Sequence, residues 1–206
     1  NLFQQYRLHG SRPFYSEGDF EARYMAILDK VLDRDIPFFV PSVTDSNLRV
    51  MRAVIGSLAN ASIPRVQVKS LCADWSVGAD KLYQLLFVME QIDLLRVVRY
   101  PHDDKARSTG AKMLFADPCA YPVLQADEGT AREAYISCCF REAGYDVYAM
   151  KDEKRGDFKV NRNAESYVLE VGGRAKSPKG ADYVLRDNTD YPAGNALPLW
   201  LIGMMW

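Results

Sequence analysis

Between Phe20 and Ile36 the apolar residues Tyr24, Ile27, Leu28, Val31 and Leu32 recur at three- and four-residue steps among charged neighbours, which predicts an amphipathic helix. Pro37 and Pro41 are expected to close it. The preceding residues 1–19 mix aromatics with Gly, Ser and Pro positions and read as turns. Asp45 or Ser46 is an N-cap candidate for a second helix with the stripe Leu48, Met51, Val54, Ile55 and Leu58. After a loop at 60–65, residues 66–76 read as a brief helix. Residues 77–100 read as a longer helix running into a β-branched strand near Leu94 to Val98. A polar loop (101–110) leads to another strand within 111–117. From residue 127 the pattern changes. A helix with Ala134, Ile136, Cys139, Phe140 and Ala143 on one side ends at Gly144. Four short strand-like runs (145–150, 157–160, 166–171 and 182–187) and a last apolar run (196–206) follow it.

The order helix, short helix, turn, helix, strand, loop, strand is that of a winged helix-turn-helix, expected at residues 45–117. Residues 125–206 form the second unit, a helix followed by strands, and the irregular stretch 118–128 is the expected boundary. The fold class is therefore mixed, α+β or α/β, with residues 1–44 as a helical connector.

Within the second unit, two acids belong to strand-like runs that a hairpin would bring side by side: Asp157 and Glu170. Two such carboxylates can share a Mg²⁺ ion, which takes hard oxygen ligands and activates a bound water for attack on phosphate. Glu133 on the preceding helix is a third candidate acid, or else a surface carboxylate complementing the dipole of the first helical turn. In metal-dependent nucleases of this design a lysine two residues beyond the second acid faces the same way along the strand. Gly172 stands there. Arg174 and Lys176 keep the parity, yet in an extended strand they would begin about 13 and 20 Å from Glu170. They return only if the chain bends at Gly172-Gly173, where glycine allows positive φ and close approach. The alternative is that Asp157 and Glu170 are turn and edge carboxylates ion-paired with Arg155, Arg174 or Lys176.

Charge narrows the partners. Among 206 residues, 26 Lys and Arg face 27 Asp and Glu, so no global field draws the chain to nucleic acid or anionic lipid, and a contact must come from a local patch. The expected reading helix, 77–91, offers few base-reading side chains. Arg99, Lys105, Arg107 and Lys112 around the loop are the candidate DNA phosphate contacts. The other possibility is that this unit packs against a neighbouring domain. Cys72, Cys119, Cys138 and Cys139 lack zinc-ligand spacing and read as reduced thiols of a cytoplasmic protein. His9 and His102 stand alone in polar segments. No GxxxxGK[ST] loop is present, so ATP hydrolysis by these residues is not expected. No apolar run approaches the roughly 18 residues of a membrane span.

Taken together, "LDRDIPF", "GTAREAYISCCFREAGYDV", "GDFKV" and "YVLEVGGRAKS" resemble the C-terminal half of bacterial and archaeal AAA-type P-loop ATPases. In that group the ATPase module is followed by a winged helix and a degenerate restriction-endonuclease-like domain of the PD-(D/E)XK superfamily. The resemblance implies Glu133 as the helix acid, Asp157 and Glu170 as the strand acids and metal ligands, and Gly172 in the place of the usual lysine, with Lys176 as a relocated candidate. It also implies that the chain continues a larger protein whose upstream module binds ATP and acts in cis. The function it implies is a non-catalytic regulatory region that binds DNA non-specifically or another protein. The alternative is a Mg²⁺-dependent DNA nuclease using the relocated lysine.

Overall fold

The computed structural model describes residues 2–61, 65, 68–103 and 111–205. The chain is mixed α+β: a helical half and a two-stranded hairpin precede a helix and a five-stranded sheet.

The N-terminal residues form a helix where turns are expected: α1 (Leu2–His9). Its Phe3 and Tyr6 meet the ring of Tyr135 edge-on at 5.4 and 6.3 Å, so it is held by aromatic packing rather than by its own short length. The amphipathic stripe does form α2 (Phe20–Lys30). It does not stop at Pro37. The Ile36 N–H donates to the carbonyl of Val31, five residues back, and this widened turn lets the chain continue into α3 (Ile36–Phe39), with the proline in the first turn, where its missing N–H costs nothing. α4 (Asp45–Ala59) is capped one residue before the expected positions. The Thr44 N–H donates to Asn47 Oδ1 at 3.1 Å.

α5 (Val68–Asp74) and α6 (Ala79–Gln91) lead into β1 (Leu95–Val98), which pairs antiparallel with β2 (Lys112–Phe115), Leu95 opposite Phe115 and Val98 opposite Lys112. An isolated antiparallel bridge pairs Arg65 with Lys112 on the other side of β2. The stretch 118–128 is packed. It contains α7 (Ala120–Val123), and Cys119, Ala120 and Tyr121 are buried, the Tyr121 hydroxyl accepting from the Phe115 N–H at 3.1 Å.

α8 (Glu128–Glu142) begins at Asp127, whose carboxylate accepts from the N–H of Thr130 at 2.7 Å. β3 (Asp146–Ala149), β4 (Phe158–Arg162) and β5 (Glu165–Gly172) run antiparallel in sequence. β6 (Tyr183–Arg186) and β7 (Ala196–Pro198) then add parallel to β5, and α9 (Leu199–Ile202) closes the described chain. α8 lies against β3 and β5 on one side and touches β2 on another. One contiguous cluster of buried apolar side chains runs from Leu28 in α2 to Ile202 in α9, through Met51, Leu85, Leu114, Tyr121, Ile136 and Leu169. The two halves also share backbone bonding: the Ala149 N–H donates to the Arg99 carbonyl at 2.8 Å, tying the end of β3 to the hairpin. Among the described residues no helix is long and apolar enough to cross a membrane.

Candidate functional site

The β4–β5 hairpin brings the two strand acids to the same end of its ladder. Phe158 pairs with Leu169 as the last step; Asp157 directly precedes Phe158, and Glu170 directly follows Leu169 in β5. Gly156 makes the approach possible. At φ +153° it carries the chain so close to β5 that a Cβ there would lie 2.9 Å from the Leu169 carbonyl oxygen and 2.7 Å from Val168 Cγ1. The Asp157 N–H donates to that same carbonyl at 2.8 Å, and Asp157 Oδ2 accepts from the Val171 N–H at 2.8 Å. Asp157 is buried and Glu170 wholly so.

The third acid comes from α8 and its partner from the other half of the molecule. Lys112, at the start of β2, extends its ammonium between Glu133 and Asp157: Nζ lies 2.6 Å from Glu133 Oε2, 3.3 Å from Asp157 Oδ1 and 4.8 Å from the centroid of the Phe158 ring. Lys112 is only 7% exposed. It is therefore a buried member of the acid cluster and not a phosphate contact at the surface of a wing, a correction that follows from β2 facing α8 and β4. Arg99 is committed as well, its two terminal nitrogens 3.1 and 2.8 Å from the carboxylate oxygens of Glu90. Lys105 and Arg107 lie outside the described residues.

Lys176 does return to the acids. After Gly172 the chain turns, the Lys176 N–H donating to the Gly173 carbonyl at 3.0 Å, and Nζ comes to 2.9 Å from Glu170 Oε1. Gly172 permits this by lacking a side chain. A Cβ there would lie 2.6, 2.7 and 2.9 Å from Cδ, Cγ and Cβ of Lys176. Positive φ plays no part at Gly172 or Gly173, contrary to expectation; the requirement is space for the lysine stem. Lys179 is a second cation on the same atom, 2.8 Å from Glu170 Oε1, and it also donates to the Glu153 carbonyl at 3.0 Å. Glu170 Oε2 is buried and accepts no hydrogen bond. Arg174 stays exposed.

Burial, joined by the charge of Asp157, raises the pKa of Glu133 against the opposing pull of Lys112. For Lys112 burial works to lower the pKa, but the charges of Glu133 and Asp157 outweigh it and hold the ammonium above the ordinary lysine range. Lys179 is likewise raised, first by its hydrogen bond to Glu170.

Three carboxylates, Glu133, Asp157 and Glu170, thus face three ammonium groups, Lys112, Lys176 and Lys179, for a formal balance of zero. A Mg²⁺ ion needs several oxygens free to approach to about 2.1 Å. Both Asp157 oxygens are occupied, by Lys112 and by the Val171 amide, and Lys112 lies where an ion bridging Glu133 and Asp157 would sit. The residues in this arrangement do not fit the metal. Consistent with that, among the described residues no group of three or more His, Cys, Asp or Glu side chains is disposed to hold a metal ion. His9 stacks on Tyr15, its ring centroid 5.5 Å away, in a separate aromatic cluster.

Strand parity does not reach Lys176 because β5 ends at Gly172, and nothing in the sequence marks Lys179 as a partner of Glu170 beyond its following Lys176 by three residues within one turn-rich segment. Nothing local marks Lys112 as a partner of acids 21 and 45 residues away. No protein-family model, curated protein or solved structure matches this chain.

Proposed function

We propose that this chain is a winged helix-turn-helix joined to a restriction-endonuclease-like α/β domain, and that its acid site has become a closed salt-bridge cluster without cleavage activity. The observation that carries this reading is the Lys112 ammonium, 2.6 Å from Glu133 and 3.3 Å from Asp157, in the position a shared cation would take. The helix order α4–α5–α6 followed by β1 and β2, with the Arg65–Lys112 bridge, supports the winged-helix assignment. The succession α8, antiparallel β3–β4–β5 and parallel β6, with acids on α8, at the start of β4 and in β5, supports the nuclease-like one. The place of the module beside an upstream AAA-type ATPase in cis rests on the sequence resemblance.

Its role in this reading is regulatory, through weak, sequence-independent contact with DNA. The loop 151–155 and the loop 173–182 adjoin, a Cβ added at Gly180 coming within 4.0 Å of the Arg155 Cα, and they present Lys154, Arg155 and Arg174 as exposed cations. The purified chain should neither hydrolyse ATP nor nick supercoiled plasmid in Mg²⁺ or Mn²⁺. It should shift the anisotropy of unrelated labelled duplexes at low salt and lose the signal as salt rises. Absence of binding at low salt would move the role to a protein partner. Reproducible nicking abolished by Asp157→Ala would overturn the non-catalytic reading.

One observation favours the alternative, a Mg²⁺-dependent nuclease with a relocated lysine: Lys176 reaches Glu170 across Gly172. That reading requires cleavage lost in both Asp157→Ala and Lys176→Ala.

A further inference from the structure

The disagreement between the acid cluster and a metal centre has a definite geometric form. Two ligand-like side chains, Glu133 and Asp157, converge on one point, and what stands between them is a cation supplied by the chain itself, on a strand from the other half of the molecule. An ammonium carries three N–H donors and one positive charge. Lys112 directs donors at Glu133 Oε2 and Asp157 Oδ1 and rests over the face of Phe158, so its head group is surrounded by two carboxylates and a ring. Its place is fixed from behind, because Lys112 is paired on one side with Val98 and on the other with Arg65.

Charge makes this lysine different from Lys176 and Lys179. Those two approach Glu170 from a loop, with side chains about one-third exposed, and their removal would leave Glu170 with the other. Removing the Lys112 ammonium would leave Glu133 and Asp157, both close to the same point, without a counter-charge at that point.

We infer that Lys112 is a built-in substitute for a divalent cation, so that the β1–β2 hairpin keeps a cation site between Glu133 and Asp157 closed, and a free divalent ion replaces the ammonium when it is taken away. This inference rests on the non-catalytic reading of the site, since it explains how the acids persist without metal chemistry.

The test is Mn²⁺ binding to the full chain by titration calorimetry, with far-ultraviolet circular dichroism as the check on folding. The wild-type chain, Lys112→Met and Lys112→Met/Asp157→Asn are compared. Lys112→Met keeps an apolar stem in the channel while deleting the charge. The expected result is one Mn²⁺ site in Lys112→Met at least about tenfold tighter than in wild type and lost again in the double variant. Equal affinity in wild type and Lys112→Met, or no binding by a folded Lys112→Met, overturns the inference. If Lys112→Met is unfolded in chelator, the readout becomes refolding. Recovery of the helical spectrum on adding Mn²⁺ supports replacement, and a chain that stays unfolded at about 10 mM Mn²⁺ overturns it. Plasmid nicking separates this from the functional proposal. Cleavage by the wild type sinks the non-catalytic reading. Failure of Lys112→Met to bind Mn²⁺ while the wild type remains inert sinks only the substitution of lysine for metal.

Discussion

Replacing Gly172 by alanine introduces a Cβ within 2.6–2.9 Å of Cδ, Cγ and Cβ of Lys176, closer than carbon atoms normally approach. The backbone at Gly172 is not in the left-handed region, so alanine is conformationally acceptable there and the clash is the main native-state cost. Overpacking of this kind costs about 1–3 kcal/mol. The reduced freedom of the unfolded chain returns about 0.4–1 kcal/mol. The net expectation is a loss of about 1–2 kcal/mol, as Lys176 is pushed aside and Glu170 keeps only Lys179 within ion-pair distance. If the lysine stem is the whole reason for the glycine, the penalty must vanish when the stem is gone. Gly172→Ala introduced into Lys176→Gly, which removes Cβ as well as the rest of the stem, should therefore be neutral or slightly stabilising, giving a coupling energy of about 1–2 kcal/mol in a double-mutant cycle. Urea unfolding of the four proteins measures this, provided the slope with denaturant is unchanged. Effects that add within about 0.5 kcal/mol would refute the argument, because Gly172 would then be required by something other than Lys176.

Two further substitutions probe how the halves and the termini are held. Asp187 is buried and bound by Arg7 at 2.5 Å and Arg132 at 2.9 Å. Burial works to raise its pKa, but the hydrogen bond from Arg132 and the charge of Arg7 outweigh it and hold the carboxylate below its ordinary value of 3.8. The stability it adds is present above that value and is lost as pH falls through the lower folded-state pKa. Asp187→Asn should thus cost about 3 kcal/mol near neutrality, with the gap from wild type closing below pH ~4 in acid unfolding curves. At Tyr121 a backbone group is at stake. The Ala116 N–H donates to the Leu94 carbonyl at 3.2 Å, so the adjacent Phe115 N–H points away from β1 and is met by the Tyr121 hydroxyl at 3.1 Å. Tyr121→Phe leaves that amide unpaired in the interior and should lower stability by about 1–3 kcal/mol in thermal or urea melts, whereas an unchanged midpoint would show that the bond contributes nothing.

Periodicity was enough to locate α2, α4, α6, α8 and the first four strands of the large sheet, because their apolar faces point into a common core and the pattern records that burial; β7 lies within what reads only as a last apolar run. It failed where a single strong signal met a tertiary remedy. Pro37 reads as a stop, yet the wide turn closed by Ile36 and Val31 absorbs it. Residues 2–9 read as turns, yet Tyr135 gives their helix a surface to pack on. In the site, the nearness of Asp157 and Glu170 along the chain was legible because a hairpin is a local device, and the β4–β5 ladder ends at Phe158 and Leu169, next to both acids. The cations were not. Lys176 was placed by strand geometry that ceases to apply at Gly172. Lys112 reads as a phosphate contact beside the loop because sequence distance carries no information on which face of β2 meets α8.

The parallel step from β5 to β6 is made by residues 173–182 alone, without the helix that usually spans such a connection. Surface loops of this length are ordinarily where a protein lineage accepts inserted or deleted residues. Here both ends of the loop are pinned by the strands, and two of its side chains converge on one buried oxygen. A single added residue would change the reach of Lys176 or Lys179. Length variation among descendants of this chain should therefore concentrate in other loops, leaving this one fixed in length though open to exchange at its outward positions, such as Arg174 and Ser177.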